Sequence, residues 1–367
     1  MTAGGPVEVV LAGGGTGGHV TPALALAEAL VARGHDADRL RFIGARRGIE
    51  ARVVPAAGYR IELLGLRGLR HGGGPRAWVA NVGAIAAASV ATLQAWRLLG
   101  RWRPRVVVGT GGYASAAAVL AARTRRIPVV VHEQNAAPGV VNRIAVRLGA
   151  RAAVAFPGTP LPGAVLTGNP VRAAVAAVVR RPAPGPPLVA VVGGSLGSAR
   201  LNDAALGLAH LWAGRRDRRL HLVAGARYVA ECRRRLAALP VGAVPVEIVG
   251  YEDHMEDLYR RAAVVVCRAG ALTVAELCVV GVPSVLVPWP GAAGNHQRAN
   301  AAAVAGAGGG VLLEDADCDA TRLAALLDAL LDDPDRLARM GAAARTLGHP
   351  DAAERLAALT EEVARAA

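Results

Sequence analysis

The chain has 367 residues and a formal net charge of +14, with 53% apolar and only 3% aromatic residues, so its length suits about two domains whose cores rest on Val, Leu, Ile and Ala. No run of 18 apolar residues lacks charge and glycine, which excludes a transmembrane span; residues 78–99 come closest but carry Asn81, Gly83, Gln94 and Arg97. No basic and apolar leader follows Met1, and Cys232, Cys267, Cys278 and Cys318 form no C-x-x-C pair, so a secreted, disulfide-bonded or zinc-binding chain is disfavoured and buried thiols in a cytoplasmic protein are expected.

The first element is a strand over 8–12, which runs through GGGTGGH into an Ala- and Leu-rich helix over 22–33. Glycines at such a turn let backbone N–H groups face an anion, and the positive end of the helix adds to that pull. Pro22 suits a first helical turn. His19 closes the loop and has three readings: a hydrogen bond to a phosphate, a general base, or a cap on its own helix. A strand over 41–43 follows.

From Leu63 to Asn202 the charge is one-sided. Seventeen arginines stand against a single acid, Glu133, while the rest of the chain carries 25 arginines against 27 acids, and no lysine occurs anywhere. Such asymmetry implies an anionic partner: nucleic acid, a membrane surface or a phosphorylated substrate. Within this stretch LRGLRHGGGPRAWV and QAWRLLGRWRPR set Trp78, Trp96 and Trp102 among arginines and leucines, the pattern of an interfacial membrane patch. No nucleic-acid-binding motif accompanies them. Strands over 106–108, 129–132 and 152–155 feed the loops GTGGYAS, which leads into a helix over 114–123, and VHEQNAAPGVVNR. There Glu133 either neutralises nearby arginines or offers a carboxylate beside His132 and Asn135.

Prolines at 157, 160, 162 and 170, a linker near 166–171 and RRPAPGPP mark a boundary, after which a strand over 188–192 opens a second series with GGSLGSARLN. Ser195 offers a hydroxyl beside glycine N–H groups, an arrangement that suits a diphosphate. Helices over 199–213 and 230–239 and strands over 220–224, 246–249 and 264–267 follow. In CRAGALTVAEL a glycine turn leads into a helix over 274–280 that bears Glu276, which can take two ribose hydroxyls from the carboxyl edge of a parallel sheet. After a strand over 284–287, VPWPGAAGNHQRANA puts Asn295, His296 and Gln297 ahead of a helix over 298–305, which suits sugar hydroxyls. Strands written as continuous β-branched runs read as buried on both faces of parallel sheets. Two such series, each opening with a glycine turn, predict two Rossmann-like, doubly wound α/β domains with ligand in the cleft between them. The domains are expected over 1–167 and 168–349, with a last helix over 350–367 crossing back to the first.

With GGGTGGH, GGY, HEQN, TGNPVR (Thr167–Arg172), GGS-x-G, CRAGALTVAE and NHQ-x-x-N-A in one order, the sequence resembles the MurG family. These are UDP-N-acetylglucosamine-dependent N-acetylglucosaminyltransferases of bacterial cell-wall synthesis, and the resemblance spans nearly the whole chain. It implies a glycosyltransferase-B fold, inversion at the sugar C1 and no metal or other cofactor. It also implies transfer of GlcNAc to the C4 hydroxyl of undecaprenyl-pyrophosphoryl-MurNAc-pentapeptide (lipid I), giving lipid II. The work is done peripherally at the cytoplasmic membrane face, with an anionic membrane against the basic N-terminal domain and no nucleic acid as partner. Carried over by position, Thr16, Gly17 and Gly18 line a diphosphate, Asn135 touches the donor sugar, Arg172 lies by the uracil and Ser195 by the donor phosphate. Ala271, Leu272, Thr273, Val274 and Ala275 wrap nucleotide and sugar, with Glu276 on the ribose. Glu252 falls at the uracil edge, Gln297 reads GlcNAc hydroxyls, and His19 is the general base, with Glu133 next in line.

The sequence departs from the family pattern at Leu196, where the second loop usually has Gln. It departs again at Ala114-Ser115-Ala116 after GGY, and at Glu252, where an apolar residue is usual. The departures keep open a related glycosyltransferase of secondary metabolism with another lipid acceptor or sugar donor. From a different class, a non-catalytic nucleic-acid-binding module also remains.

Overall fold

A computed structural model describes residues 7–15, 17–66, 75–181, 185–194, 196–239 and 244–366, side chains of 75–82 and 85 excepted. The chain divides into two units, Met1–Arg172 with Asp351–Ala367, and Ala173–Pro350.

Unit 1 is built on seven strands: β1 (Val9–Gly13), β2 (Leu40–Ala45), β3 (Arg60–Leu64), β4 (Val106–Gly111), β5 (Val129–Glu133), β6 (Arg151–Val154) and β7 (Val165–Leu166). All pair in parallel, in the order β3-β2-β1-β4-β5-β6-β7. Helices α1 (Gly17–Ala32), α2 (Glu50–Ala56), α3 (Pro75–Trp102), α4 (Gly112–Thr124) and α5 (Val140–Arg147) connect them. The inner strands are buried Val-rich runs, with only Gly111 at the end of β4 partly exposed, because helices cover both faces of the sheet.

Unit 2 repeats the plan. Its strands are β8 (Leu188–Val192), β9 (Arg219–Val223), β10 (Val246–Val249), β11 (Ala262–Cys267), β12 (Ser284–Leu286) and β13 (Gly310–Leu312), parallel and ordered β10-β9-β8-β11-β12-β13. Its helices are α6 (Ala173–Ala176), α7 (Ala199–Leu211), α8 (Val229–Ala237), α9 (Met255–Arg261), α10 (Ala271–Val280), α11 (His296–Gly306), α12 (Ala320–Leu331) and α13 (Pro334–Arg345). The expected doubly wound class is borne out in each unit. In both sheets the strand order reverses direction beside the first strand of the unit, between β1 and β4 and between β8 and β11. Ligands of such sheets bind outside the carboxyl ends at that point.

The last helix, α14 (Ala352–Arg365), packs Leu356, Ala357 and Leu359 into the unit 1 core with Val9, Leu11 and Leu26. Glu361 fastens it: the Arg33 guanidinium donates to both carboxylate oxygens (2.9 and 2.8 Å), and His35 Nε2 lies 3.2 Å away. These hydrogen bonds hold the Glu361 carboxyl down to about 2.

Three strands escaped the sequence reading: β3, β7 and β13. They lie at sheet edges and are only partly buried, so no continuous apolar run marks them. The linker expected near 166–171 begins on β7. Helix starts also lie earlier than expected: α4 begins at Gly112 and α11 at His296, so Gln297 sits in the first turn of α11 rather than ahead of it. α1 begins at Gly17 rather than near Pro22, so His19 sits in its first turn and Pro22 lies inside, where it removes the donor that the Gly18 carbonyl would otherwise meet. α10 begins at Ala271, not Val274, so the loop residues Ala271–Thr273 are its first-turn amides. All four cysteines are buried, and burial pushes the Cys267 and Cys278 thiols up to about 12.

Candidate active site

In unit 1 three loops at the switch point lock together. Thr110, at the end of β4, donates its hydroxyl to the His19 carbonyl (2.9 Å) and accepts on its own carbonyl from Gln134 Nε2 of HEQN (2.7 Å). Gly14 N–H donates to the Gly111 carbonyl (3.3 Å). Gly111 has φ +108°, and a Cβ there would lie 2.6 Å from His19 Cδ2. Only glycine lets β4 pass this close beneath the imidazole.

The orientation of His19 follows from its neighbour. Its Nδ1 lies 3.1 Å from the Gly14 carbonyl oxygen. A carbonyl only accepts, so Nδ1 carries the proton and, in the neutral ring, Nε2 carries the lone pair. This is the tautomer a base acting through Nε2 needs. Gly17 and Gly18 precede it in the same helical turn, and Thr16 lies outside the described residues.

Amide groups surround Glu133. It is 3% exposed, and its carboxylate accepts four hydrogen bonds. Asn135 N–H and Nδ2 donate to Oε1 (3.0 and 3.2 Å), Gly139 N–H and Asn142 Nδ2 to Oε2 (both 2.8 Å). About four acceptor directions exist on a carboxylate, and these donors occupy them. No arginine among the described residues pairs with it. Glu133 clamps the loop that presents Asn135. Its neighbour His132 is buried and donates through Nε2 to the Gly168 carbonyl (2.9 Å), which ties HEQN to TGNPVR; burial pushes this imidazole below its ordinary value. Arg172 closes that segment, half-buried, at the end of unit 1.

In unit 2 the loop after β8 turns on Gly194 and Gly197, and Ser198 caps α7. Ser195 lies outside the described residues, and Leu196 is 84% exposed beside it. Across the switch point Arg268, next after β11, reaches Ser198 Oγ with Nη2 (2.8 Å) and pairs with Asp315. The first turn of α10 follows, with Ala271, Leu272 and Thr273 half-buried, Val274 buried and Ala275 half-buried. No side chain caps that helix, so its N–H groups suit a phosphate.

Glu276, buried one and a half turns into α10, accepts from the Tyr259 hydroxyl (2.9 Å). Gln297 accepts the Trp289 N–H on Oε1 (2.9 Å), which leaves Nε2 as the donor end of its amide. Glu252 is engaged within its own turn: Oε1 accepts the His254 N–H (3.0 Å), and Oε2 lies 3.2 Å from the buried His221 Nε2.

Sequence reading gave no role to Thr110, Gln134, Tyr259 or Arg268. Thr110, Gln134 and Arg268 stood inside quoted motifs, whereas nothing local marks Tyr259, whose partner is 17 residues away.

Matches to known proteins cover both units. The model of the glycosyltransferase family 28 N-terminal domain matches residues 9–154, and that of the C-terminal domain matches residues 188–356. A protein of Alkalilimnicola ehrlichii is 44% identical over 374 residues, covering 98% of this chain and 99% of that protein. One of Anaeromyxobacter dehalogenans is 42% identical over 372 residues, covering 98% and 94%. Both are named UDP-N-acetylglucosamine–N-acetylmuramyl-(pentapeptide) pyrophosphoryl-undecaprenol N-acetylglucosamine transferase. The crystal structure of MurG from Acinetobacter baumannii superposes with a TM-score of 0.80 at 29% identity, over 97% of this chain and all of that one.

Proposed function

The chain belongs to the MurG family of glycosyltransferase family 28, and from that membership we infer that it transfers GlcNAc from UDP-GlcNAc to lipid I, giving lipid II. What carries the assignment is likeness along the full length to proteins named for that reaction. A secondary-metabolism transferase and a nucleic-acid module, both left open by the sequence, are not favoured by relatives so similar. Incubating the protein with UDP-GlcNAc and a lipid I analogue tests it. UDP release with a disaccharide-lipid product is expected, and no release would overturn the assignment.

The residue roles are our reading. Donor diphosphate lies against the uncapped N-terminus of α10 and the Gly193–Ser198 loop with Ser195. Helix-end amides there ease the charge of departing UDP. Glu276, oriented by Tyr259, takes the ribose hydroxyls, Arg172 and the backbone at Glu252 the uracil, and Gln297 and Asn135 the sugar. Gly17, Gly18 and Thr16 hold a diphosphate at the start of α1, and His19 Nε2 receives the acceptor's C4 proton. Replacing Glu276 with alanine is then expected to raise KM for UDP-GlcNAc about 10- to 100-fold, the scale of a hydrogen bond to a charged group, with kcat changed far less. An unchanged KM would move the ribose elsewhere.

Membrane docking through unit 1 is likewise a proposal. No helix among the described residues is long and apolar enough to cross a membrane. α5 turns Asn142 and Ala145 inward and leaves Val140 (60% exposed), Val141, Ile144 and Leu148 in solvent beside Arg143 and Arg147. α3 likewise exposes Val90, Leu93 and Trp96 near Arg97 and Arg101, with the Arg125 guanidinium 3.6 Å over the Trp96 ring. Trp102, expected in the patch, instead packs against the core, and the Trp78 side chain lies outside the described residues. Apolar side chains ringed by arginine suit an anionic lipid surface. Ile144→Glu is expected to weaken binding to phosphatidylglycerol vesicles about 10-fold, the scale of burying one such side chain. Unchanged flotation with the vesicles would remove α5 from the interface.

A further inference from the structure

One buried acid lies outside every motif singled out in the sequence. Glu50, the first residue of α2, is 0% exposed, and among the described residues no basic side chain pairs with it. A bare carboxylate at such depth survives only if its oxygens are hydrogen-bonded. Both are. Oε1 accepts the Ala45 N–H at 2.8 Å, and Oε2 accepts the Gly15 N–H at 2.9 Å, 35 residues away in the GGGTGGH loop. The surroundings are shaped to it: a Cβ on Gly14 or Gly48 would run into the carboxylate, and one on Gly44 into the side-chain methylene beside it.

Gly15 N–H and the Gly14 carbonyl belong to one peptide group. On its far side that carbonyl oxygen meets His19 Nδ1 at 3.1 Å. A continuous path therefore runs from carboxylate to peptide to imidazole. An amide whose N–H is drawn by a carboxylate has a more negative oxygen, and coupled hydrogen bonds strengthen one another in a buried setting. A stronger acceptor at Nδ1, backed by a negative charge, favours the imidazolium over the neutral ring.

We propose that Glu50 is a positioning residue for the transfer reaction, acting on His19 through the Gly14–Gly15 peptide to hold its tautomer and raise its basicity. The proposal rests on the reading of His19 as the base. In the step it serves, the acceptor C4 oxygen bonds to the sugar C1 and gives its proton to His19 Nε2. The bond from C1 to the UDP oxygen breaks, and its electron pair leaves with UDP. Nδ1 keeps its proton throughout, and no proton passes to Glu50. The arrangement is a relative of the acid that orients a catalytic histidine directly, with one peptide group interposed.

Glu50→Gln keeps the shape, removes the charge and sets an amide NH2 against one of the two N–H donors. It is expected to lower kcat about 10- to 100-fold, the usual scale for losing such an outer orienting partner. A neutral base is needed for turnover, so activity falls as pH drops through the pKa of His19. With the charge gone that pKa falls, and the acid limb of the kcat/KM profile moves to lower pH. The other charged or titratable groups on elements around α1 are unchanged by the substitution. They include Glu28 on α1, Arg46 and Arg47 ahead of α2, Arg52 on α2, Tyr113 on α4, Glu133 at the end of β5, and Glu354, Arg355, Glu361, Glu362 and Arg365 on α14, Glu361 being tied to Arg33 and His35.

A rate loss with the acid limb unmoved would overturn the relay and leave Glu50 a purely structural acid. So would a His19→Ala/Glu50→Gln double variant much slower than His19→Ala alone, since partners acting through one group do not add. His19→Ala at the wild-type rate would instead defeat the base assignment itself. If Glu50→Gln does not fold, 15N NMR of the wild-type ring decides: a proton on Nδ1 supports the relay, and a proton on Nε2 overturns it.

Discussion

Replacing His19 by alanine is expected to lower kcat at least about 100-fold, the scale of a lost general base, while UDP-GlcNAc still raises the melting temperature. The physical ground is the fixed tautomer. The Gly14 carbonyl oxygen, 3.1 Å from Nδ1, holds the proton there and so directs the lone pair to Nε2. Gly111 beneath the ring and the Thr110 hydroxyl on the His19 carbonyl leave the first turn of α1 little freedom to swing. His19 is only half-buried and belongs to no apolar cluster, so its loss should cost activity far more than stability. Single-turnover rates beside melting curves check both halves, and a rate within a few-fold of wild type would reassign the base.

Glu133→Ala is expected to do the reverse. It removes the acceptor of four N–H donors, two of them on the Asn142 and Asn135 carboxamides, and leaves Asn142 Nδ2 with a long contact to the His132 carbonyl (3.5 Å). Hydrogen bonds to a charged group contribute about 1.5–3 kcal/mol each, so a loss of about 3 kcal/mol is a conservative sum. For a unit of this size that lowers Tm by roughly 6–12 °C. Calorimetry checks the shift. An unshifted Tm with kcat abolished would restore Glu133 as the proton acceptor and refute the clamp.

Much of this protein was written locally. The strands β1, β4, β5, β8 and β11 show as β-branched runs because each lies in the middle of a sheet covered on both faces, and the glycine turn after β1 or β8 stands within a few residues of its strand. Those signals gave the doubly wound class and the two phosphate-type loops. The ordered motifs GGGTGGH, HEQN and CRAGALTVAE gave the family. Edge strands β3, β7 and β13 were illegible for the same reason inverted: half-buried strands need no continuous apolar run.

What only the tertiary structure decided concerns which groups meet. Glu133 stood out in sequence as a lone acid among arginines, yet the chain folds amides rather than guanidinium groups round it. Trp102 read as interfacial from its arginine neighbours, and the period of α3 turned it to the core. Nothing local marks Glu50, since its partner Gly15 lies 35 residues back and the glycines that cradle it come from two separate segments. Local sequence fixes turns, periods and buried runs, because those depend on neighbours along the chain. The hydrogen-bond partner of a buried carboxylate depends on neighbours in space, and that choice is made only when β1 and β2 lie side by side.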